Sequence, residues 1–486
     1  MELRRIFLVI SILVFPVFSV AQSDFSIILL PDTQNYSQYY PGIFKSQTNW
    51  VVNNATSLNI RMVIGEGDIV NHDSSSTEWS NAVAAANVLD NKVPYTFAIG
   101  NHDYDGQAPA KRQATHFNSH FGPQRYASYS WYGGNYNGSN ENFYTFFSGG
   151  DQDYIVLSLE YYPRSAVLDW ADSVLSSYSN KNAIVVTHSF EGSDGFRVDR
   201  CDTNDISSVN GNTPEFIWEK VLKFHSNVVL IVSGHLIGSG TAHRTDLGVN
   251  GNLVHQIFTN FQSWTKGGNG YLRILTFHPS AGTISVRTYS PYLNNSLTSG
   301  SFQFSLPLKY SSTATTGQFK GKVRNTSCSR LAGATVSTGG YSATTDSNGI
   351  YTLGVPAPQG YGLIAKASGY IESDQSSSAE RGISTQLNFY LSANTTKSNQ
   401  TIVNITSPAS NATVSSPFTV SASASASSGT TISWMALYID GVKKYGVTGA
   451  TLKSSASASP GAHKITVQAK DSSGTMIQKS IAISIQ

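Results

Sequence analysis

Cysteine is nearly absent from this chain: two in 486 residues, Cys201 and Cys328. A framework of several disulfides is thereby excluded. Spacing alone leaves their pairing open, and two lone thiols in separate domains is the favoured reading. Charge is scarce too. Asp, Glu, Lys and Arg make up 13% of the residues, against roughly 25% in ordinary soluble domains. With a formal net charge of +2 and no run of Lys and Arg, a nucleic-acid-binding face is excluded. Histidine is missing beyond His278 except for His463, which confines imidazole chemistry to the first part of the chain. After residue 20 no apolar run approaches the roughly 20 residues of a spanning helix.

What is present begins with a leader. Arg4 and Arg5 precede an apolar run from Ile6 to Val20, and Ser19-Val20-Ala21 offers small residues where a signal peptidase cuts. We expect a signal peptide at 1–21, cleaved after Ala21, and a product that is secreted, periplasmic or at the cell surface, with no transmembrane segment in the mature protein.

The remaining length exceeds what one hydrophobic core supports. From 22 to 310, apolar runs alternate with amphipathic stretches, the pattern of an α/β domain. Strands are expected at Phe25–Leu30, Ile60–Ile64, Tyr95–Ile99, Tyr154–Leu159, Ala183–Thr187 and Val228–Ser233, and helices at Ile43–Asn53, Thr77–Leu89, Ser165–Leu175 and Pro214–Phe224. Further strands near residues 254–258, 271–277 and 283–289 imply that part of the sheet is antiparallel. A small-residue linker, 311–316, then leads into short strands broken by turn residues over 317–393. A second linker, 394–400, precedes another alternating segment, 401–486. Both read as small all-β sandwiches.

Six polar residues each follow an apolar run: Asp32, Gln34, Asp68, Asn101, His188 and His235. Carboxylate, amide and imidazole are metal-ligating groups, and in open α/β sheets such residues gather beyond the carboxyl ends of the strands. A single histidine at a strand end is ordinarily structural; the set together points to a metal centre.

At these positions the chain resembles the calcineurin-like metallophosphoesterase family. The blocks appear in order as Asp32-Thr33-Gln34, Gly67-Asp68-Ile69-Val70-Asn71, Gly100-Asn101-His102-Asp103, His188 and Gly234-His235. The resemblance implies a four-layer α/β/β/α sandwich with two divalent metal ions (Mn, Fe, Zn or Mg). Asp68 would bridge them, Asn101, His188 and His235 would complete the second site, and Asp32 and Gln34 would belong to the first. The family usually places histidines where this chain has Gln34 and Ile237, so the first ion is expected to be the weaker bound and harder in character. His243, His255 and Asn71 are candidates for the missing ligand. The implied reaction is hydrolysis of phosphate mono- or diesters by in-line attack of hydroxide generated at the metals, with His102 protonating the leaving group and Asp103 orienting it. Arg125 and the aromatic stretch around Trp131 either line a substrate cleft or pack structurally.

The segment 317–393 resembles a carboxypeptidase-regulatory-like domain through Gly321-Lys322-Val323, Gly333-Ala334-Thr335-Val336 and Thr345-Asp346-Ser347-Asn348-Gly349-Ile350-Tyr351, and 401–486 resembles a bacterial immunoglobulin-like module. Both are read as spacers or as binding modules for a carbohydrate or cell-surface polymer. The competing reading is a phosphoesterase fold that has lost catalysis and serves in surface binding or adhesion.

Overall fold

The computed structural model describes residues 22–203, 209–394, 401–426 and 430–486. The expected signal peptide and nearly all of the linker 394–400 lie outside the described residues. No described helix is long and apolar enough to cross a membrane.

Fourteen strands build the N-terminal unit among the described residues. They are β1 (Phe25–Leu30), β2 (Ile60–Gly65), β3 (Tyr95–Phe97), β4 (Tyr132–Tyr136), β5 (Ser139–Gly149), β6 (Gln152–Leu159) and β7 (Asn182–Thr187). Then come β8 (Val228–Ser233), β9 (Thr241–Leu247), β10 (Leu253–Thr259), β11 (Leu272–His278), β12 (Thr283–Ser290), β13 (Asn295–Leu297) and β14 (Phe304–Pro307). One sheet runs β13-β12-β11-β1-β2-β3, with β14 also on β12, and the other runs β4-β5-β6-β7-β8-β10-β9. Within them β1, β2 and β3 are mutually parallel, as are β6, β7, β8 and β10. The antiparallel strands flank these blocks.

Buried parallel strands carry apolar side chains on both faces, which explains the continuous runs. Ile27 and Leu29 of β1 point into the core between the sheets, with Ile64, Val186, Val232 and Ile257. Ile28 and Leu30 face outward, under helices Pro41–Asn54 and Ser76–Ala86. On the other side Val185 and Ile231 pack under helices Ser165–Ser177 and Pro214–Lys220. The order is helix, sheet, sheet, helix, as expected. Helix starts follow capping chemistry: the Ser75 hydroxyl accepts the Glu78 N–H, and the Thr213 hydroxyl accepts that of Phe216 with Pro214 in the first turn.

The rest of the chain is rich in β-sheet. Residues 316–391 form two four-stranded sheets around Phe319, Val323, Tyr351 and Phe389, and residues 402–485 form a three-stranded and a five-stranded sheet around Val420, Met435 and Val467. These sheets are not beads on a string. Cys201 and Cys328 are bonded across 127 residues, which corrects the reading as two lone thiols. The segment around Cys201 packs directly on strand Thr316–Asn325 and its neighbours, a contact that sequence spacing does not reveal.

Candidate metal centre

Because β1, β2, β3, β7 and β8 end at the same side of the two sheets, the residues that follow them converge. The ligand atoms of Asp68, His188 and His235 all lie within 4.8 Å of one another, and His188 Nε2 stands 3.2 Å from Asp68 Oδ1. Asn101 Oδ1 is buried without a hydrogen-bond partner, and so is Gln34 Oε1. Unpartnered buried oxygens suit a cation, and both chain neighbours of Asn101, Gly100 and His102, lie against Asp68. The backbone is shaped to suit. Asp68 and His235, neither of them glycine, hold φ of 49° and 71°, a strain of roughly 1–3 kcal/mol each. A Cβ on Gly100 would collide with Asp68 Oδ1, and one on Gly234 would collide with Asp32 Oδ1. The residues present fit a pair of cations.

Each imidazole is held from behind. His188 Nδ1–H donates to the Glu66 carbonyl at 2.8 Å, which leaves Nε2 as the ligand nitrogen. His235 is gripped at Nε2 by the Tyr161 hydroxyl at 3.0 Å, and its ring lies edge against face with those of both Tyr161 and His188. Tyr161 was not anticipated from sequence. Asp32 accepts the His235 N–H at 3.3 Å and the Asn260 amide at 2.9 Å.

The electrostatics are those of buried carboxylates and an imidazole that shift one another. Burial acts to raise the Asp68 carboxyl, but the charge and hydrogen bond of His188 outweigh it and hold the group at about 2. Burial pushes Asp32 up to about 7 against the pull of His188. His188 feels burial downward, yet the charges of Asp68 and Asp32 lift it to about 10. A proton and a cation therefore compete for the same nitrogen. Beneath the ligands, Glu66 is fully buried with no partner on either carboxylate oxygen, and burial followed by the charge of Asp32 raises its pKa well above the usual range.

His102 sits beside the cluster. Its N–H donates to Asp68 Oδ1 at 3.0 Å, and its Nδ1 lies 2.9 Å from the Asn71 carbonyl, which makes Nε2 the exchangeable nitrogen. The Asn71 amide itself bonds Gln38. Asp103 departs from its expected role of orienting His102. Its fully buried carboxylate instead accepts the backbone N–H groups of Ile69, Val70 and Gly100 at 2.9, 3.1 and 2.8 Å, tying the Asp68 loop to the Asn101 loop.

The position expected for a further histidine, Ile237, is 64% exposed and offers no ligand atom. The other candidates for that ligand are committed elsewhere. His243 stacks on Phe304 at 3.7 Å, and His255 bonds Thr245 Oγ1 and the Pro307 carbonyl at 2.8 and 2.7 Å. In their place stands an amide cluster. Gln34 Nε2 donates to Gln262 Oε1, Asn260 Oδ1 accepts the Gln262 N–H at 2.9 Å, and Asn260 Nδ2 reaches both Asp32 and the His235 carbonyl. Asn260 and Gln262 follow β10 as Asp32 follows β1. The same strand-then-polar pattern would have found them.

His255 makes a prediction of its own. Burial pushes it down to about 4 from 6.5, so the unfolded chain binds its proton first and stability is lost as pH falls from 6.5 toward 4. The loss from this residue is about 2 kcal/mol by pH 5 and about 3 by pH 4. His255→Gln, followed by urea unfolding at pH 7 and pH 5, is expected to lose correspondingly less on acidification.

Arg125 does not wait for a phosphate. It bonds the Tyr95 hydroxyl at 2.6 Å and Asn87 at 2.9 Å, and lies over the Tyr95 and Phe121 rings. Trp131 stacks on Tyr129 at 4.7 Å, so this part of the insertion is packing. A second group, Asp73, Asp105 and His116, also gathers within 4.8 Å, where Asp73 accepts the Gly106 N–H and Asp105 that of His116. These bonds knit the loop beyond His102.

Comparison with known proteins bears on the same residues. Residues 25–238 match the calcineurin-like phosphoesterase family, and 402–467 match the bacterial Ig domain. The uncharacterised protein YvnB of Bacillus subtilis (strain 168) is 31% identical over 284 residues, which is 57% of this chain and 20% of that protein. The chain thus spans about a fifth of the length of that curated relative. Among solved structures, purple acid phosphatase PPD1 from yellow lupin (Lupinus luteus) seeds has a TM-score of 0.40 at 13% identity, covering 60% of this chain and 55% of its own. The protein TT1561 of Thermus thermophilus has a TM-score of 0.29 at 10% identity, covering 59% of this chain and 100% of its own. The fibronectin(III)-like modules of Clostridium thermocellum CbhA have a TM-score of 0.16 at 25% identity, covering 18% and 97%.

Proposed function

We propose that this chain, whose N-terminal unit carries the calcineurin-like metallophosphoesterase fold, is an exported metal-dependent hydrolase of phosphate mono- or diesters. The observation that carries the reading is the convergence of Asp68, His188 and His235, with the buried, unpartnered Asn101 oxygen on the residue next to His102, whose N–H reaches Asp68. Two cations held by Asp32, Gln34, Asp68, Asn101, His188 and His235 would supply charge to polarise a phosphoryl oxygen and to acidify water.

The chain's own residues do the rest. Asp68, held ionised, offers a carboxylate to both halves of the centre. His102, anchored at Nδ1 by the Asn71 carbonyl, is free to exchange a proton at Nε2 with the leaving alkoxide. Asp103 ties the two loops together. Gln34, braced by Gln262, would give the first half a neutral amide oxygen in place of imidazole, so that half would favour hard ions and release them more readily. The bonded Cys201–Cys328 pair supports an oxidising compartment, in line with the expected leader. The immunoglobulin-like module is read as the attachment element.

The test is hydrolysis of chromogenic phosphate mono- and diesters by the purified chain, before and after chelation, with Mn restored stepwise. We expect activity to vanish on chelation and to return with one tight and one readily exchanged equivalent. Hydrolysis undiminished after complete metal removal would overturn the reading. Tight Mn binding without hydrolysis would favour a binding protein.

A further inference from the structure

The segment that follows His188 is gripped on both sides. On its inner side the Gly234 N–H donates to the His188 carbonyl at 3.0 Å and the Glu191 N–H to Ser233 Oγ at 3.2 Å. A Cβ on Gly238 would collide with Ser193 Oγ. This side therefore lies against the stretch that carries His235.

The outer side belongs to the 316–391 region. Gln386 accepts the Arg197 N–H at 2.8 Å, returns a bond to the Arg197 carbonyl at 3.3 Å, and also accepts from Arg244 at 2.6 Å. Lys322 pairs with Asp194 and Asp202 at 2.8 and 3.0 Å, and Arg324 with Asp202 and Asp199 at 2.5 and 3.3 Å. Asn388 donates to Asp199 at 3.2 Å, Lys320 and Lys322 both lie over the Phe196 ring, and the Cys201–Cys328 bond closes the far end. Lys322, Arg324 and Gln386 are each at most 5% exposed. Lysine and arginine are rarely buried so deeply without dedicated partners. Here the partners are three aspartates between residues 194 and 202 of one loop.

A spacer needs none of this. We propose that the 316–391 region is a working part of the catalytic unit, in which Gln386, Lys322 and Arg324, with the Cys201–Cys328 bond, are positioning residues. They fix the 189–203 segment and through it the two histidine ligands. The inference rests on the metal-centre reading above and assigns a role that a separable binding module would not have. Groups that support a ligand from behind set metal affinity, typically by 10–100-fold.

The experiment uses the full chain and compares wild type with Gln386→Ala, Arg324→Ala, Arg324→Lys and a double Cys201→Ser, Cys328→Ser variant. Mn affinity is read by titration, hydrogen exchange by mass spectrometry, and kcat and KM on a small chromogenic ester. We expect Gln386→Ala and the double serine variant to weaken Mn binding at least about 10-fold. Amides of 189–203 should lose protection while those of β1 and β2 keep it, and kcat should fall with KM near wild type. Arg324→Lys should restore most of what Arg324→Ala loses. Wild-type Mn affinity and wild-type protection of 189–203 in both Gln386→Ala and the double variant would overturn the proposal. If the wild-type chain binds Mn but hydrolyses no ester, the phosphoesterase reading fails and the affinity and exchange arms still decide this one. If it binds no Mn, exchange alone decides.

Discussion

Replacing His188 with alanine is expected to lower kcat/KM for phosphate esters by on the order of 10³-fold or more and to release the tightly held metal. The reason lies in how few groups define that half of the centre. His188 Nε2 lies 3.2 Å from Asp68 Oδ1, and its other nitrogen is spent on the Glu66 carbonyl, so the ring is held with one nitrogen toward the cluster. Removal also strips Asp68 of the charge that keeps its carboxyl near 2. One substitution thus takes away a proposed ligand and makes the Asp68 carboxylate easier to protonate. Metal content and steady-state rates on the same sample check this together. A variant with full metal content and undiminished rate would show that the chemistry lies elsewhere.

Asp103→Ala is expected to be the most destabilising single change near the site. Its carboxylate satisfies three buried backbone donors, from Ile69, Val70 and Gly100. Each donor left unpaired costs about 1–3 kcal/mol, offset in part by relief of a carboxyl that burial and the charge of Asp68 push up to about 7, so the net loss is about 3 kcal/mol. In a unit of this size that corresponds to a fall in Tm of roughly 6 °C or more. Asp103→Asn keeps one acceptor oxygen and should fall between. Had Asp103 oriented His102, the asparagine variant would shift the pH profile of kcat. The geometry predicts lowered stability with an unchanged profile, and thermal unfolding beside a pH series separates the two.

These outcomes bear on how far the sequence could be read. The strand-then-ligand pattern was legible because β1, β2, β7 and β8 are mostly buried on both faces and appear as runs dominated by apolar residues, broken in β2 only by the exposed Arg61. The start of helix Pro214–Lys220 was legible because Thr213-Pro214 carries capping chemistry, whereas the Ser75 cap emerges only from the structure. The hairpin of β4 and β5 was hidden by its composition: glycine, asparagine and aromatics such as Gly133, Gly134 and Tyr144 gave no clean alternation. Strand β9 was missed because its polar residues, His243, Arg244 and Asp246, spend their hydrogen bonds and stacking on tertiary partners. Glu66 lies between Gly65 and Gly67, and nothing local shows that a carboxylate there is fully buried. Asp103 was given the wrong task because adjacency to His102 in sequence says nothing of where a side chain in a tight turn is directed. The bonded cysteines and the partners of Lys322 depend on how one region docks on another, information that no local window holds.

Strand β9 has one more consequence. It is the last strand of its sheet, and an outer strand with free backbone groups invites pairing by another chain. Here Arg244 on β9 reaches out to the Ser384 carbonyl at 3.2 Å and to Gln386, laying the short strand Ser384–Gln386 beside that border. The region beyond residue 316 thus covers part of that border, and an N-terminal unit trimmed of it is expected to expose the strand to pairing by its own copies.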